Sequence, residues 1–410
     1  MATITRALTY DVRAIENDEE RRQGLALITR AHRSERPREV HWLRLHALTG
    51  PRYHPSHIRV AIRNNRVIGA LRITSDTLRV GESRLKVGGV SWISVLPRYR
   101  NHGVGRRLIE ESIHYLKEHG FHAALCFVQS DLYQRSGFTT AFEERVIQIP
   151  VSHEPPKSDA MAYRCRPIKP GDLANIYWIH TDSYRAISCS LLRERAHLSN
   201  KWELIRRAQV ITDSHGLVQA YFLPSSHGTN LCIQEAGARS REFFPILLAH
   251  CNRYARDNML HQVNYRLPEE HPLNRFLMSR SEGVPGPVLH ESVGSLRILD
   301  VDETLESMVP EWEFRLEKSL LRELNEEVTL FVDKTPYRIR THHGVIDIAR
   351  QSGRNKFSVD HATFTRIITG IVRMSDIFEV SPRLISPEGK ALLETIFPSR
   401  CPTLNNLDRC

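Results

Sequence analysis

The stretch SWISVLPRYRNHGVGRRL, from Ser91 to Leu108, constrains the fold of this chain more than any other. Gly88 to Val95 reads as a buried strand, and Pro97 ends its pairing because proline has no N–H and fixes its own φ angle. A helix is predicted from Val104 to Glu118, since Leu108, Ile109, Ile113 and Leu116 share one face, and Gly120 ends it. Between strand and helix, Gly103 and Gly105 remove side chains where a ligand would have to approach the backbone closely. The unpaired amides of the first helical turn, its partial positive charge and the side chains of Arg100, Arg106 and Arg107 together suit a pyrophosphate. Taken alone, G-x-G serves a tight turn packed against a helix equally well, so its neighbours must decide.

Those neighbours read, over the first 150 residues, in the order β-α-β-β-β-α-β-α-β. A strand is expected near Tyr10 to Ile15, then a helix from Asp18 to Arg33 with Leu25, Leu27 and Ile28 as its apolar face. Strands at Ile58 to Ile62 and Val67 to Ile73 are joined by Asn64-Asn65, a pair that tolerates the positive φ angles of tight hairpins. After the central helix come a buried strand, Ala123 to Val128, a short helix, Asp131 to Ser136, closed by Gly137, and a last strand, Phe142 to Ile149.

In this setting V-x-P-x-x-R-x-x-G-x-G-x-x-L, carried by Val95, Pro97, Arg100, Gly103, Gly105 and Leu108, resembles the acetyl-CoA signature of the GNAT N-acetyltransferases. The resemblance implies acetyl-CoA as cosubstrate, without a metal. It implies a cofactor loop of Arg100, Asn101, His102, Gly103, Val104, Gly105 and Arg106, with the backbone of Ile93 and Val95 pairing with the pantetheine arm. The family's second mark is an aromatic residue on a short helix followed by a Gly-aromatic pair, here Tyr133 ahead of Gly137-Phe138. Tyr133 is therefore the candidate general acid, because a phenol one hydrogen bond from the departing sulfur can protonate the thiolate. A tyrosine that only packs in the core would leave the same mark.

Beyond residue 150 the character changes. His153 to Asp159, with Pro155-Pro156, reads as a linker. Tyr163 to Asp172 then echoes the opening of a GNAT domain, followed by a hairpin from Ala208 to Phe222, a strand from Leu231 to Glu235 and an amphipathic helix from Arg241 to Arg256. Glu235-Ala236-Gly237-Ala238-Arg239-Ser240 stands where the phosphate loop belongs, so this unit reads as a degenerate, non-catalytic repeat. From Glu317 onward, strands at Val328 to Val332, Tyr337 to Arg340 and Gly344 to Ala349 precede a helix capped by Asp360 and another opened by Ser386-Pro387, an order resembling a sterol-carrier-protein-like module.

The expected fold class is therefore α+β: two tandem GNAT-like domains, each a mixed, mostly antiparallel sheet flanked by helices, followed by a sterol-carrier-protein-like α+β domain. The boundaries are 1–152 for the catalytic domain, 160–305 for the degenerate one and 312–410 for the C-terminal one. This order resembles the Eis (enhanced intracellular survival) family of acetyltransferases over the whole chain. The likeness implies that Trp92 lines the acceptor pocket, that Tyr133 is the proton donor, and that the C-terminal carboxylate, here on Cys410, reaches the active site as base or acceptor anchor. It also implies a homo-oligomer, a hexamer in that family, and a small-molecule or peptidyl primary amine as acceptor, whether aminoglycoside-like, a polyamine or a lysine side chain. The ending Leu407-Asp408-Arg409-Cys410 departs from the apolar or aromatic end expected by resemblance, although the carboxylate is present whatever the side chain.

Composition narrows the alternatives. No apolar run approaches the ~20 residues of a membrane span, and the first residues lack the apolar core of a secretory signal, so no membrane partner and a cytoplasmic location are expected. The seven cysteines have no C-x-x-C spacing, which suggests neither a disulfide framework nor a zinc site. The formal charge of +10, locally dense at Arg30, Arg33, Arg36, Arg38 and Arg44, would suit a polyanion. It is spread along the chain without a helix-turn-helix, zinc-finger or aromatic RNA-binding signature, and reads as a solvated basic surface rather than a nucleic-acid site. A rival from another class, an acyl- or lipid-binding protein with a vestigial GNAT domain, is disfavoured by the retention of both glycines, Arg100 and Tyr133.

Overall fold

The first sheet begins with β1 (Asp11–Ala14), antiparallel to β2 (Ile58–Arg63). Asn64 and Asn65, at φ 49° and 58°, turn β2 back into β3 (Arg66–Val80), as a two-residue hairpin requires. β4 (Ser83–Val95) lies beside β3, β5 (Ala123–Cys126) beside β4, and Ser295–Ile298 pairs antiparallel with β5. The strand expected to reach Val128 stops at Cys126, and Val128 is exposed. These elements belong to one compact unit, Met1–Thr77, Leu85–Thr139 and Ser295–Ser307. The computed structural model describes residues 9–34, 37–46, 53–128, 130–152, 158–185, 187–279, 284–380 and 385–408.

Helix α1 (Asp18–His32) starts at Asn17, whose side chain accepts from the Glu20 amide at 2.9 Å, with three acids in its first turn. Its buried stripe is Gly24 and Ile28, whereas Leu25 and Leu27 are half-buried, a shift from the expected face. A Cβ on Gly24 would meet Val60 at 3.3 Å, so the missing side chain lets the helix close on the sheet. α2 (Pro37–His46) has no counterpart in the sequence reading, because only Val40 and Leu43 are its described buried positions, too few to register as a period in ten residues.

α3 (Val104–Glu118) spans the expected residues and buries Val104, Leu108, Ile109, Ser112, Tyr115 and Leu116. Two glycines let it press on the strands: a Cβ on Gly88 would lie 2.2 Å from Leu116 Cδ2, and one on Gly69 2.9 Å from Val104 Cγ1. Complete burial of Leu108 and Leu116 stabilises the packing by roughly 1.5–3 kcal/mol each. Arg59 Nε donates to Glu111 Oε2 at 2.6 Å and ties α3 to β2. α4 (Asp131–Gln134) follows, with Gly137 at φ 81° ending the turn after it.

The second unit comprises Leu78–Arg84, Thr140–Gly294 and Met308–Cys410. Its strands are β6 (Thr139–Pro150), β7 (Arg164–Pro167), β8 (Ser190–Leu191), β9 (Gln209–Thr212), β10 (Val218–His227), β11 (Asn230–Ala238) and β12 (Gln262–Tyr265). The order is β6-β12-β11-β10-β9-β7, in which β11 and β12 run parallel and the other pairs antiparallel, while β8 pairs with Leu78 and Arg79. Helices α5 (Ser158–Met161), α6 (Leu173–Ser183), α7 (Arg195–Asn200), α8 (Trp202–Ile205), α9 (Phe244–Asp257) and α10 (Pro272–Ser279) complete the repeat of the first unit's order. α9 packs Leu247, Cys251 and Ala255 against Phe222, Ile233 and Val263; α6 to α8 pack Ile176, Ile179, Leu198 and Ile205 against Val210, Tyr221 and Leu223. Of the linker expected at 153–159, residues 153–157 lie outside the described residues, and Ser158 and Asp159 already belong to α5.

The repeats exchange their last strands. β6 follows the first repeat in sequence yet joins the second unit's sheet beside β12, whereas β13 (Val284–Ile298) follows the second repeat and ends beside β5. α11 (Val301–Glu317) follows; Pro310 within it reads as a helix breaker in sequence, and the amide of Glu311 donates to Ser83 Oγ at 3.1 Å. A four-stranded sheet of β14 (Glu326–Val332), β15 (Thr335–His342), β16 (Val345–Ala349) and β17 (Lys356–Val359), ordered β16-β15-β14-β17, comes next. α12 (His361–Thr369) is capped by Asp360, which accepts from the Thr363 amide at 2.7 Å; α13 (Met374–Val380) and α14 (Pro387–Ile396) follow, the latter capped by Ser386. Among the described residues no helix is long and apolar enough to cross a membrane.

Acid weakens the second unit in a defined window. Burial pushes the imidazole of His271 down to about 4. The unfolded chain takes up this proton near the ordinary value of 6.5 and the native chain does not, so stability is full above that pH and declines toward pH 4, by on the order of 3 kcal/mol for this group. Urea unfolding at pH 7 and pH 4.5 measures it, and a midpoint no lower at pH 4.5 contradicts the account.

Candidate active site

β4 parts from its neighbour halfway along. Its parallel pairing with β5 covers Val87, Gly88 and Gly89, yet the strand runs on to Val95. Trp92 sits in mid-strand at φ 59°, a left-handed conformation that costs a bulky residue about 1–3 kcal/mol. Such a residue re-aims a strand, as bulges do beside functional sites. Among the described residues the strand pairing of β4 with β5 ends at Gly89, while the Leu96 amide donates to Ile68 O on the β3 side at 2.9 Å.

Past Val95 the chain makes a single turn at Pro97–Tyr99, then places Asn101 at φ 61° and Gly103 at φ 78° before α3 begins. Among the described residues the main-chain amides of Asn101, His102, Gly103, Val104, Gly105 and Arg106 have no hydrogen-bond acceptor, while the Arg107 amide donates to Gly103 O at 3.0 Å. A Cβ on Gly103 would meet nothing nearer than Tyr10 Oη at 3.8 Å. One on Gly105 would press on Leu132 Cδ2 at 3.3 Å and on Ile93 and Val95 at 3.6 and 3.9 Å, so Gly105 faces the parted end of β4. Arg100, Arg106 and Arg107 are exposed around the loop; Arg100 Nε donates to Val95 O at 3.2 Å and Arg106 pairs with Glu110 at 2.7 Å. Bare amides, a helix N-terminus and three guanidinium groups fit a diphosphate through the loop's own atoms.

Tyr133 is buried beneath this end of β4, its hydroxyl donating to Val90 O at 3.1 Å and its ring edge-on to Phe138 at 5.3 Å. Burial pushes its phenol well up, so it keeps its proton throughout the physiological range. The same burial lifts the Cys126 thiol to about 12, which makes it an inert core residue. Trp92 is buried, and the His32 ring stands edge-on to it at 5.2 Å with Nε2 3.3 Å from Ile93 O. His32 went unmarked in sequence, although it lies four residues after Ile28 on the sheet-facing stripe of α1.

The first unit thus assembles Trp92, Ile93, Val95, the Arg100 to Arg106 loop and Tyr133, while Cys410 lies outside the described residues. Of the basic run, Arg30 and Arg33 line a cleft of about 480 Å³ between α1 and α2 with Val40 and His41, and Arg36 lies outside the described residues. Among the described residues no three His, Cys, Asp or Glu side chains are grouped as a metal ion requires.

Residues 11–141 match the family model of the acetyltransferase (GNAT) domain. The whole chain shares its fold with a GCN5-related N-acetyltransferase from Anabaena variabilis, at 14% identity over 97% of this chain and 99% of that one, with a TM-score of 0.73. A GCN5-related N-acetyltransferase from Kribbella flavida is similar at 14% identity, 98% and 100% coverage and a TM-score of 0.70. Eis1 from Mycobacterium abscessus is similar at 16% identity, 97% and 100% coverage and a TM-score of 0.64. No curated protein matches the chain in sequence.

Proposed function

This chain carries a GNAT acetyltransferase domain and is an acetyltransferase, and we propose that it moves the acetyl group of acetyl-CoA to a primary amine by direct attack in a ternary complex. The observation that carries the reading is the row of unengaged amides from Asn101 to Arg106, opened by two glycines beside the parted end of β4. When bound, acetyl-CoA supplies an activated thioester. Arg100, Asn101, His102, Gly103, Val104, Gly105 and Arg106 hold the diphosphate, the backbone of Ile93 and Val95 pairs with the pantetheine arm, and amides near Val95 polarise the carbonyl. Trp92 lines the acceptor side.

Only a neutral amine has a free lone pair, so the acceptor loses a proton before it attacks; the carboxylate of Cys410 receives it or anchors the amine. The nitrogen bonds to the carbonyl carbon, the carbon–sulfur bond breaks, Tyr133 gives its proton to the sulfur, and the proton shed by the acylated nitrogen restores the phenol. Likeness to the Eis family favours a cationic acceptor, namely an aminoglycoside-like compound, a polyamine or a lysine side chain. The same reading gives catalysis to residues 1–152, a supporting degenerate repeat to 160–305 and a sterol-carrier-protein-like module to 312–410.

Isothermal titration with acetyl-CoA tests the proposal, and absence of binding ends it. Thiol release against a panel of amines then identifies the acceptor class. A tag appended after Cys410 lowers turnover by at least about tenfold with acetyl-CoA affinity unchanged, as loss of a positioned base predicts. Unchanged turnover in the tagged enzyme removes the carboxylate from the mechanism.

A further inference from the structure

β3 carries a polar stretch that no motif marks. The strand is buried from Val67 through Ile73, then opens over Thr74, Ser75, Asp76 and Thr77, all half-buried. Four successive polar residues forgo apolar packing on both faces of a strand, which calls for a reason other than the core. Side chains two apart share a face, so Arg72, Thr74 and Asp76 point the same way as Ala70. That is the side of α1, because a Cβ on Gly24 of α1 would lie 3.7 Å from Ala70 Cβ. The ring of Trp92 belongs to the same side, since His32 of α1 stands edge-on to it at 5.2 Å.

Thr74 sits where β4 parts from β5. Gly89 ends their pairing among the described residues, and a Cβ there would lie 2.3 Å from Thr74 Oγ1. The glycine thus makes room for the hydroxyl at the start of the parted segment. Val90 comes next, and its carbonyl accepts from the Tyr133 phenol at 3.1 Å. Thr74 Oγ1 donates to Asp76 Oδ2 at 2.7 Å, and among the described residues it accepts no hydrogen bond. Its lone pairs can therefore receive a donor while its own proton is committed to a carboxylate. On this face Arg72 is joined by Tyr53 and by Arg21 and His32 of α1, whereas Lys86 of β4 turns to α3 and donates to His119 O at 2.7 Å.

We propose that Asp76, acting through the Thr74 hydroxyl, takes the proton that the acceptor amine must lose before it attacks. A proton of the ammonium passes to Thr74 Oγ1 as that oxygen's own proton passes to Asp76 Oδ2. The step leaves a neutral amine, an intact hydroxyl and a carboxylic acid, which is half-exposed and returns the proton to solvent. The inference rests on the acetyl-transfer reading above, in which another carboxylate either takes this proton or anchors the amine; anchoring is the part that remains to it.

Variants of the full-length enzyme test the relay. Thr74→Val removes the hydroxyl and nearly keeps the shape, Thr74→Ser restores the hydroxyl, and Asp76→Asn removes the base. Full stoichiometry of acetyl-CoA binding shows that each is folded. The acceptor is whichever of a polyamine, an aminoglycoside and a lysine peptide the wild type turns over fastest. Thr74→Val and Asp76→Asn each lower kcat at neutral pH by roughly 10²-fold at unchanged KM for acetyl-CoA. The deficit shrinks toward about pH 9.5, where the amine begins to lose its proton without help. The double variant is no slower than either single one, because both act on one path, and Thr74→Ser stays within about threefold of the wild type. A deficit equal at every pH, losses that add in the double variant, or an unchanged kcat in Asp76→Asn overturns the relay and leaves acetyl transfer standing. A wild type that releases no thiol with any of the three amines overturns the transfer reading, and the relay falls with it.

Discussion

Replacing Tyr133 by phenylalanine lowers kcat by roughly 10²- to 10⁴-fold, the range of a lost general acid, and leaves acetyl-CoA affinity nearly unchanged. That loss corresponds to about 3–5 kcal/mol of transition-state stabilisation. The structural cost is smaller: the hydroxyl makes one buried hydrogen bond, to Val90 O at 3.1 Å, whose net worth is about 1 kcal/mol. The ring and its edge-on contact with Phe138 are kept. Burial keeps the phenol protonated, so a proton is present when the carbon–sulfur bond breaks, and the same shift makes it a weaker acid than a solvent-exposed phenol. Steady-state thiol release, paired with titration calorimetry and a thermal melt, separates these effects. A fall in kcat of less than about threefold, against the range expected of an acid, returns Tyr133 to the core as a packing residue.

Gly105→Val weakens acetyl-CoA binding by at least about 100-fold while the protein stays folded. The estimate follows from displacing about two charge-assisted hydrogen bonds, each worth roughly 1.5–3 kcal/mol. The position allows a clean experiment. Gly105 lies in the first turn of α3 and is not among the glycines with positive φ, so valine is not strained there by the backbone. Its Cβ would lie 3.3 Å from Leu132 and 3.6 Å from Ile93, and its two methyl groups fill the space between the start of α3 and the parted end of β4. Gly103→Val is less informative, because φ 78° strains any branched residue and the loop would move for that reason alone. Calorimetric affinity of less than about fivefold difference from wild type would place the diphosphate away from these amides.

The first repeat was legible in sequence to the extent that its chemistry is local. Pro97, Gly103 and Gly105 act through covalent geometry within a few residues, and the apolar face of α3 recurs at helical spacing over four turns. α2 and α11 were not legible, the one too short to show a period and the other interrupted by Pro310, because tertiary packing rather than local preference sustains them. Trp92 was marked by likeness to a family, but its left-handed backbone was not, since no residue type announces that conformation. The place of His32 beside Trp92 depends on how α1 lies over β4.

What the amino-acid order determined by itself is where main-chain amides would be bare: absent side chains and a proline are properties of single residues and need no partner. Only the tertiary structure decided that β4 parts from β5 after Gly89, that β6 and the end of β13 each complete the other repeat's sheet, and that Arg193 meets Glu235 and Asp408. Those partners lie 42 and 215 residues from it along the chain. Burial and charge pairing act between whatever groups folding brings together, and no spacing in the chain records them.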